Sequence, residues 1–536
     1  MPHQQILLII ILSYFALLLG VAFYTARGSN NESFFVGNRS SKWWLVAFGM
    51  IGTSLSGMTF ISVPGTVGAG AFGYFQVTIG YWLGYFIVAY VLLPVYYKMQ
   101  LTSIYTYLAK RLGVNAHKTG SFFFILSRTL GATLRLYLVI KVLEMFVLKD
   151  LGISFEATAI IILALILLYT FKGGVKTIVW TDTLQTTFML LGLLISLFYI
   201  SGQLGFSIPD AWNAVSKNGM TKIFATDPMP GNFFLKQIIG GAFITIAMTG
   251  LDQEMMQKNI SVSNLKDSQK NMVVMGTMQM IVVFIFLFLG GILSIYAAQH
   301  GIAAKGDSLF PAIALNSGLP FFITICFVIG LISALFPSAD GALTALTSSF
   351  CIDILGLKMN KKGTKIVGEV VPDIEQEKKL TKTRLTVHIS FAFIFLLCIF
   401  FFRVVDNGSL IDVLLKLAGF TYGPLLGLFA FGILTKRNVY QSAPFILCMI
   451  AMLASLLIDI VNNYTWYVPK FGISPDHAAT LEHLSKSIFG SYKIGVELLI
   501  LNAAITFILL LIFSKKPNGQ NTVLDVSHLA NAENVH

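Results

Sequence analysis

The sequence predicts an all-α integral membrane protein with about thirteen transmembrane helices. Three observations predict it. Of 536 residues, 56% are hydrophobic and 12% charged, whereas a soluble domain carries about 25% charged residues. Mean hydropathy is +0.77. Long apolar runs recur from Ile6 to Phe513, and a spanning helix needs about 20 mostly apolar residues. These runs do not alternate with period two, which argues against a β-barrel.

Taken in order, the expected spans are 6–24, 43–66, 74–97, 119–148, 153–171, 178–202, 233–256, 272–298, 320–350, 385–402, 409–434, 440–462 and 494–513. The first follows an MPHQQ lead without Lys or Arg. It lacks the basic start of a cleaved signal and reads as a retained helix. The loops 204–232 and 463–493 are polar, with Pro and Gly, and suit short surface helices. The loop around 355–382 is rich in Lys and Glu and reads as a solvated connector. The tail 517–536 is polar and is expected to be disordered. Cys326, Cys351, Cys398 and Cys448 all fall in apolar spans without a CxxC spacing, so they read as small buried residues.

The net charge is +12. In a soluble protein that charge would suggest nucleic acid. Here the positive-inside rule explains it, and the expected surroundings are a lipid bilayer. With the N-terminus outside, the inner segments hold 24 Lys and Arg and the outer loops 8. The expected location is the inner (plasma) membrane, with the C-terminus cytoplasmic.

Two segments point to chemistry. In the second span, Gly49 to Phe60 (GMIGTSLSGMTF) concentrates glycine and hydroxyl residues at mid-membrane depth. In the ninth, Ile332 to Ser349 brings Pro337, Ser338, Asp340 and Gly341 to the same depth. Broken helices carrying polar backbone at the bilayer centre are where secondary transporters bind substrate and coupling ion. Close helix packing is the competing reading of the small residues. Sodium takes oxygen ligands, as other hard cations do. Carbonyls near Gly52 and Leu55, with carbonyls and hydroxyls near Ala334 and Ser338, could supply them. Asp182, Asp252 and Asp340 are carboxylates in or at the ends of spans, which are functional by default. Asp252 has a blander alternative, interfacial pairing with Lys258. A channel would need a continuous polar pore. An enzyme would need paired catalytic groups or a metal cluster, and the eight histidines are scattered. Neither an enzyme nor an organic cofactor is expected.

Four stretches resemble the sodium/solute symporter family, which includes sodium–glucose, proline, pantothenate and sialic acid symporters. Lys172 to Gln185 (KGGVKTIVWTDTLQ) is similar to its GG…VVWTDxxQ. Leu251 to Lys258 (LDQEMMQK) is similar to its DQxxxQR, with Lys258 for Arg. Ser333 to Ile354 resembles its serine-rich helix, and Phe420 to Arg437 its GPLLGLFxLGIFTKR. The resemblance implies a 5+5 inverted repeat as in the bacterial leucine transporter fold. The first repeat would occupy 43–203 and the second 233–437, with an extra helix in 1–30 and C-terminal helices in 440–516. It implies a sodium site at Gly52, Leu55, Ala334, Pro337 and Ser338, altered because Pro337 stands where the family usually has Ser. It implies a second cation position at Asp182 and Asp340, with a buried Arg or Lys as Asp340's alternative partner. Substrate contacts would fall on Ser56, Thr59, Gln76 and Tyr81.

Arg128 and Arg135 lie seven residues apart, on one face of the fourth span. An arginine reads a carboxylate by a bidentate fork. Either could instead pair with Glu144, Asp182 or Asp340, and Arg128 could snorkel to the inner surface. The expected function is therefore sodium-coupled uptake of a small polar solute by a monomer, with Na+ as coupling ion. A sugar, a sialic acid or another carboxylate fits that description. Proton coupling and a transporter-like sensor are the alternatives.

Overall fold

The computed structural model describes residues 3–26, 34–35, 37–316, 318–357, 364–366, 369–371, 374–405 and 410–516. The tail 517–536 lies outside the described residues. The main helices are α1 (His3–Thr25), α2 (Trp43–Ser54), α3 (Gly57–Gly70), α4 (Tyr74–Ile87), α5 (Val114–Leu143), α6 (Phe155–Gln203), α7 (Phe234–Thr245), α8 (Gln253–Ile260), α9 (Leu265–Gln299), α10 (Phe321–Ser349), α11 (Ile374–Val405), α12 (Leu410–Leu434), α13 (Ala443–Asn462) and α14 (Leu498–Ile512).

Among the described residues, nine helices are long and apolar enough to cross a membrane, or ten if the bent pair Phe234–Gly250 and Gln253–Ile260 is one span. That is fewer than the thirteen expected spans. The shortfall has a physical cause, because several runs fold as shorter helices. The second expected span is divided between α2 and α3. The fifth, Phe155–Thr170, and the thirteenth, α14, are also short. Outward faces carry apolar side chains such as Phe23, Leu168, Phe401 and Ile512, as lipid exposure requires.

Helix ends follow local chemistry. Ser154 caps α6, its hydroxyl accepting from Ala157 N at 3.3 Å. Within α6, Gly174 turns left-handed (φ +54°) against the ring of Phe34, a conformation that glycine adopts without cost. The polar loops carry short helices at Ile208–Lys217, Tyr464–Phe471 and Pro475–Phe489. The 355–382 connector includes an antiparallel pairing of Thr364–Ile366 with Glu369–Val371.

The most extensive packing is α10 on α6, followed by α7 on α4. Both rely on glycine. A Cβ at Gly192 would stand 3.1 Å from Gly330 Cα, and one at Gly80 would stand 2.9 Å from Gly241 Cα. Small residues let such backbones approach in lipid, where apolar burial gives no drive to associate.

Two helix interruptions define the centre. One is Leu55–Ser56, between α2 and α3, where Leu55 adopts φ −92°, ψ 90° and Ser56 is extended. The other is Leu251–Asp252, where the chain bends by 65° between α7 and α8. The ninth expected span differs from its expectation. α10 runs unbroken through Pro337 for 29 residues. Proline removes one backbone donor, yet the surrounding packing holds the helix.

Candidate functional site

The break at Leu55–Ser56 leaves the last carbonyls of α2 and the first N–H groups of α3 without helical partners. Gly52 lies directly against Pro337, since a Cβ there would stand 3.6 Å from Pro337 Cγ. A Cβ at Gly57 would likewise stand 3.6 Å from Leu335 Cα. Sequence-expected Gly52, Leu55, Ala334, Pro337 and Ser338 are all buried in this region. Ser338 Oγ donates to Leu335 O at 2.8 Å, so its hydroxyl oxygen is free to accept or to coordinate. Thr186 joins from α6. Gly52 N donates to its Oγ1 at 3.1 Å, and that hydroxyl donates to Gly49 O at 3.4 Å. Backbone and hydroxyl oxygens of this kind suit a hard monovalent cation.

Beside the break lies a cavity of about 100 Å³. Ser56, Thr59, Tyr81, Arg128 and Arg135 all line it, with Tyr74, Tyr85, Thr245, Thr249 and Gln279. It adjoins a wider vestibule of about 730 Å³, and the two share Tyr74 and Leu415. On the cavity wall, Gln279 Oε1 accepts from Ser54 Oγ at 2.8 Å and from Tyr85 OH at 2.5 Å. Gln76 is not in this cavity. Its amide donates to Gly73 O (3.0 Å) and Asn232 O (3.3 Å), and its oxygen accepts from Ala225 N (3.0 Å). It lines the adjoining vestibule and braces the loop there.

The two arginines differ. Arg128 is 4% exposed. It pairs with Glu254, and its Nη1 lies 3.8 Å from Asp252 Oδ2. Asp252 caps α8, its Oδ1 accepting from Glu254 N (2.9 Å) and Met255 N (3.2 Å), while Tyr422 OH donates to Oδ2 at 2.8 Å. Asp252 therefore faces Arg128 and not Lys258, which corrects the interfacial pairing. Arg135, half-buried on the same face of α5, makes no ion pair or hydrogen bond among the described residues.

The second cation position is arranged differently from the sequence expectation. Lys258 Nζ donates to Asp182 Oδ2 at 2.7 Å, to Thr53 Oγ1 at 2.7 Å and to Glu254 Oε1 at 3.4 Å. Thr53 Oγ1 is also 3.0 Å from Asp182 Oδ2. Asp340 takes Tyr169 OH on Oδ2 at 2.7 Å and Gly341 N on Oδ1 at 2.5 Å. Its ninth-span neighbour Gly341 is packed so closely that a Cβ would stand 3.1 Å from Lys258 Nζ. At the far end of α10, Asp353 accepts from Ser103 (2.8 Å) and Ser349 (2.7 Å) and lies 2.9 Å from His117 Nε2.

Sequence reasoning missed Thr53, Tyr169, Thr186, Glu254 and Gln279. Glu254 and Gln279 carry a signal, being ionisable or amide side chains in membrane-depth segments. Thr53, Tyr169 and Thr186 carry none, because such residues are common in apolar helices.

The chain is similar to known sodium-coupled transporters. The chain is 26% identical over 469 residues to the sodium/sialic acid symporter SiaT of Proteus mirabilis (strain HI4320), covering 82% of this chain and 87% of that protein. It is 25% identical over 441 residues to the human sodium-coupled monocarboxylate transporter 1, covering 78% and 67% respectively. Its fold resembles a solved Na+-coupled sialic acid symporter in a substrate-bound outward-open state, with TM-score 0.74, 19% identity, and coverage of 96% and 99%. Residues 34–449 match the Sodium:solute symporter family, and the chain is a multi-pass membrane protein of that family.

Proposed function

We propose that this chain is a symporter that uses a sodium gradient to bring a small carboxylate-bearing solute into the cell by alternating access. The observation that carries the solute class is Arg135. It lines a cavity of hydroxyl and amide groups and forms no ion pair among the described residues. A cation left unpaired at membrane depth is costly, and a substrate carboxylate would compensate it through a bidentate fork. The first N–H groups of α3, at the same cavity, add a positive dipole end. The sialic acid and monocarboxylate relatives are named for solutes that carry a carboxylate.

Gly52, Leu55, Ala334 and Ser338 supply the sodium site in this reading, with Pro337 contributing only its carbonyl and Thr186 supporting the α2 backbone. Ser56, Thr59 and Tyr81 complete the solute's polar contacts. The 5+5 repeat, the outward N-terminus, the plasma-membrane location and the monomeric state belong to the same proposal. The repeat is supported by the interruption in the first helix of each proposed half, at Leu55–Ser56 and at Leu251–Asp252.

A thermal-shift series on purified protein tests the solute class. A ligand that binds only the folded state raises apparent stability. Sialic acids and short monocarboxylates should raise the melting temperature in sodium and not in choline, and neutral sugars should not. Stabilisation by neutral sugars alone would refute the carboxylate class.

A further inference from the structure

The position that the resemblance assigns to a second cation does not fit a second sodium ion in this chain. An ammonium group has three donors and no acceptor. Lys258 places all three on oxygens, those of Asp182, Thr53 and Glu254, and is 3% exposed. Three oxygens around a compact, unit positive charge form the arrangement that a bound monovalent ion would make. Asp340 already accepts from Tyr169 OH on one oxygen and from Gly341 N on the other, which leaves each fewer lone pairs for an ion. Asp182 Oδ1 has no hydrogen-bond partner among the described residues. A sodium ion reaching it would lie beside the Lys258 charge and be repelled.

We infer that Lys258 is a tethered cation that takes the place of a second sodium ion, so that the chain binds one sodium ion per transport cycle. This rests on the sodium-coupled reading above. Charge supplied by the protein does not move across the membrane with the solute. Lys258 therefore sets the stoichiometry while contributing nothing to the driving force.

Equilibrium binding of radioactive sodium to the purified full-length protein tests this without any solute. The wild type should bind one sodium per chain. Lys258→Met should bind two, because Asp182 loses its counter-charge while Glu254 keeps Arg128. Adding Asp182→Asn to Lys258→Met should return the count to one, and Lys258→Arg should leave it at one. Two ions on the wild type, or one on a folded Lys258→Met, would overturn the inference. If Lys258→Met does not fold, the wild-type and Lys258→Arg counts decide. No bound sodium on the wild type would overturn sodium coupling as well, so the two failures are distinguishable.

Discussion

Arg128 and Arg135 sit two turns apart on α5, and what each finds opposite separates their roles. Arg128 meets Glu254 and Asp252. Removing one partner of a buried ion pair costs about 3–5 kcal/mol, because the other charge stays buried. Arg128→Ala should therefore lower the yield of folded protein, as size-exclusion chromatography of detergent extracts would record. Arg135 has no such debt to the fold. Arg135→Ala should leave the folded yield near wild type and weaken solute affinity by roughly ten- to a hundredfold, as the loss of a charged hydrogen bond of about 1.5–3 kcal/mol implies. Equal losses of folded protein in both variants would contradict this division. Ser338 gives a third residue-scale expectation. Its hydroxyl can serve an ion while still donating to Leu335 O. Ser338→Ala should raise the sodium concentration for half-maximal uptake and leave uptake at saturating sodium nearly intact. An unchanged half-saturation would remove Ser338 from the site.

At the scale of elements, the interruptions matter more than the helices. The glycine and hydroxyl run from Gly49 to Phe60 made the Leu55 break legible, because such residues at mid-membrane depth need a reason. The same argument misjudged α10. Pro337 reads as a helix breaker, but α10 runs continuously through it and packs closely on α6 at Gly330. The bend before α8 had a signal in Asp252, read as an interfacial charge when it is an N-cap. That cap yields a prediction. Asp252→Ala removes both the cap and a counter-charge to Arg128, and should destabilise the fold by more than the roughly 1 kcal/mol typical of a lost cap. Asp252→Asn keeps a capping oxygen and should lose less. The order is measured by the thermal midpoints of the two variants, and equal midpoints would contradict it. What the sequence could not carry was long-range pairing. Lys258 and Asp182 are 76 residues apart in the chain and 2.7 Å apart in space, and no local spacing announces such a contact.

For the whole molecule, the low charge content and long apolar runs fixed the class, and the motif order carried the family. The exact span count failed because broken and short helices fall below the length of a single crossing. In the proposed reading one chain couples two ligands at one break: carbonyls at the end of α2 would serve a cation, and the start of α3 with Arg135 an anion, both at Leu55–Ser56. Occupying one half changes the charge felt by the other, so sodium and solute should each strengthen the other's binding by the same factor. The most direct test is uptake of radiolabelled sialic acid and of short monocarboxylates into proteoliposomes with an inward sodium gradient. The account predicts that one of these solutes accumulates, that accumulation collapses when choline replaces sodium, and that Arg135→Ala lowers it at least tenfold at solute concentrations well below saturation. Accumulation that persists undiminished in choline and follows only an imposed pH gradient would contradict sodium coupling, and full activity in Arg135→Ala would contradict the carboxylate site.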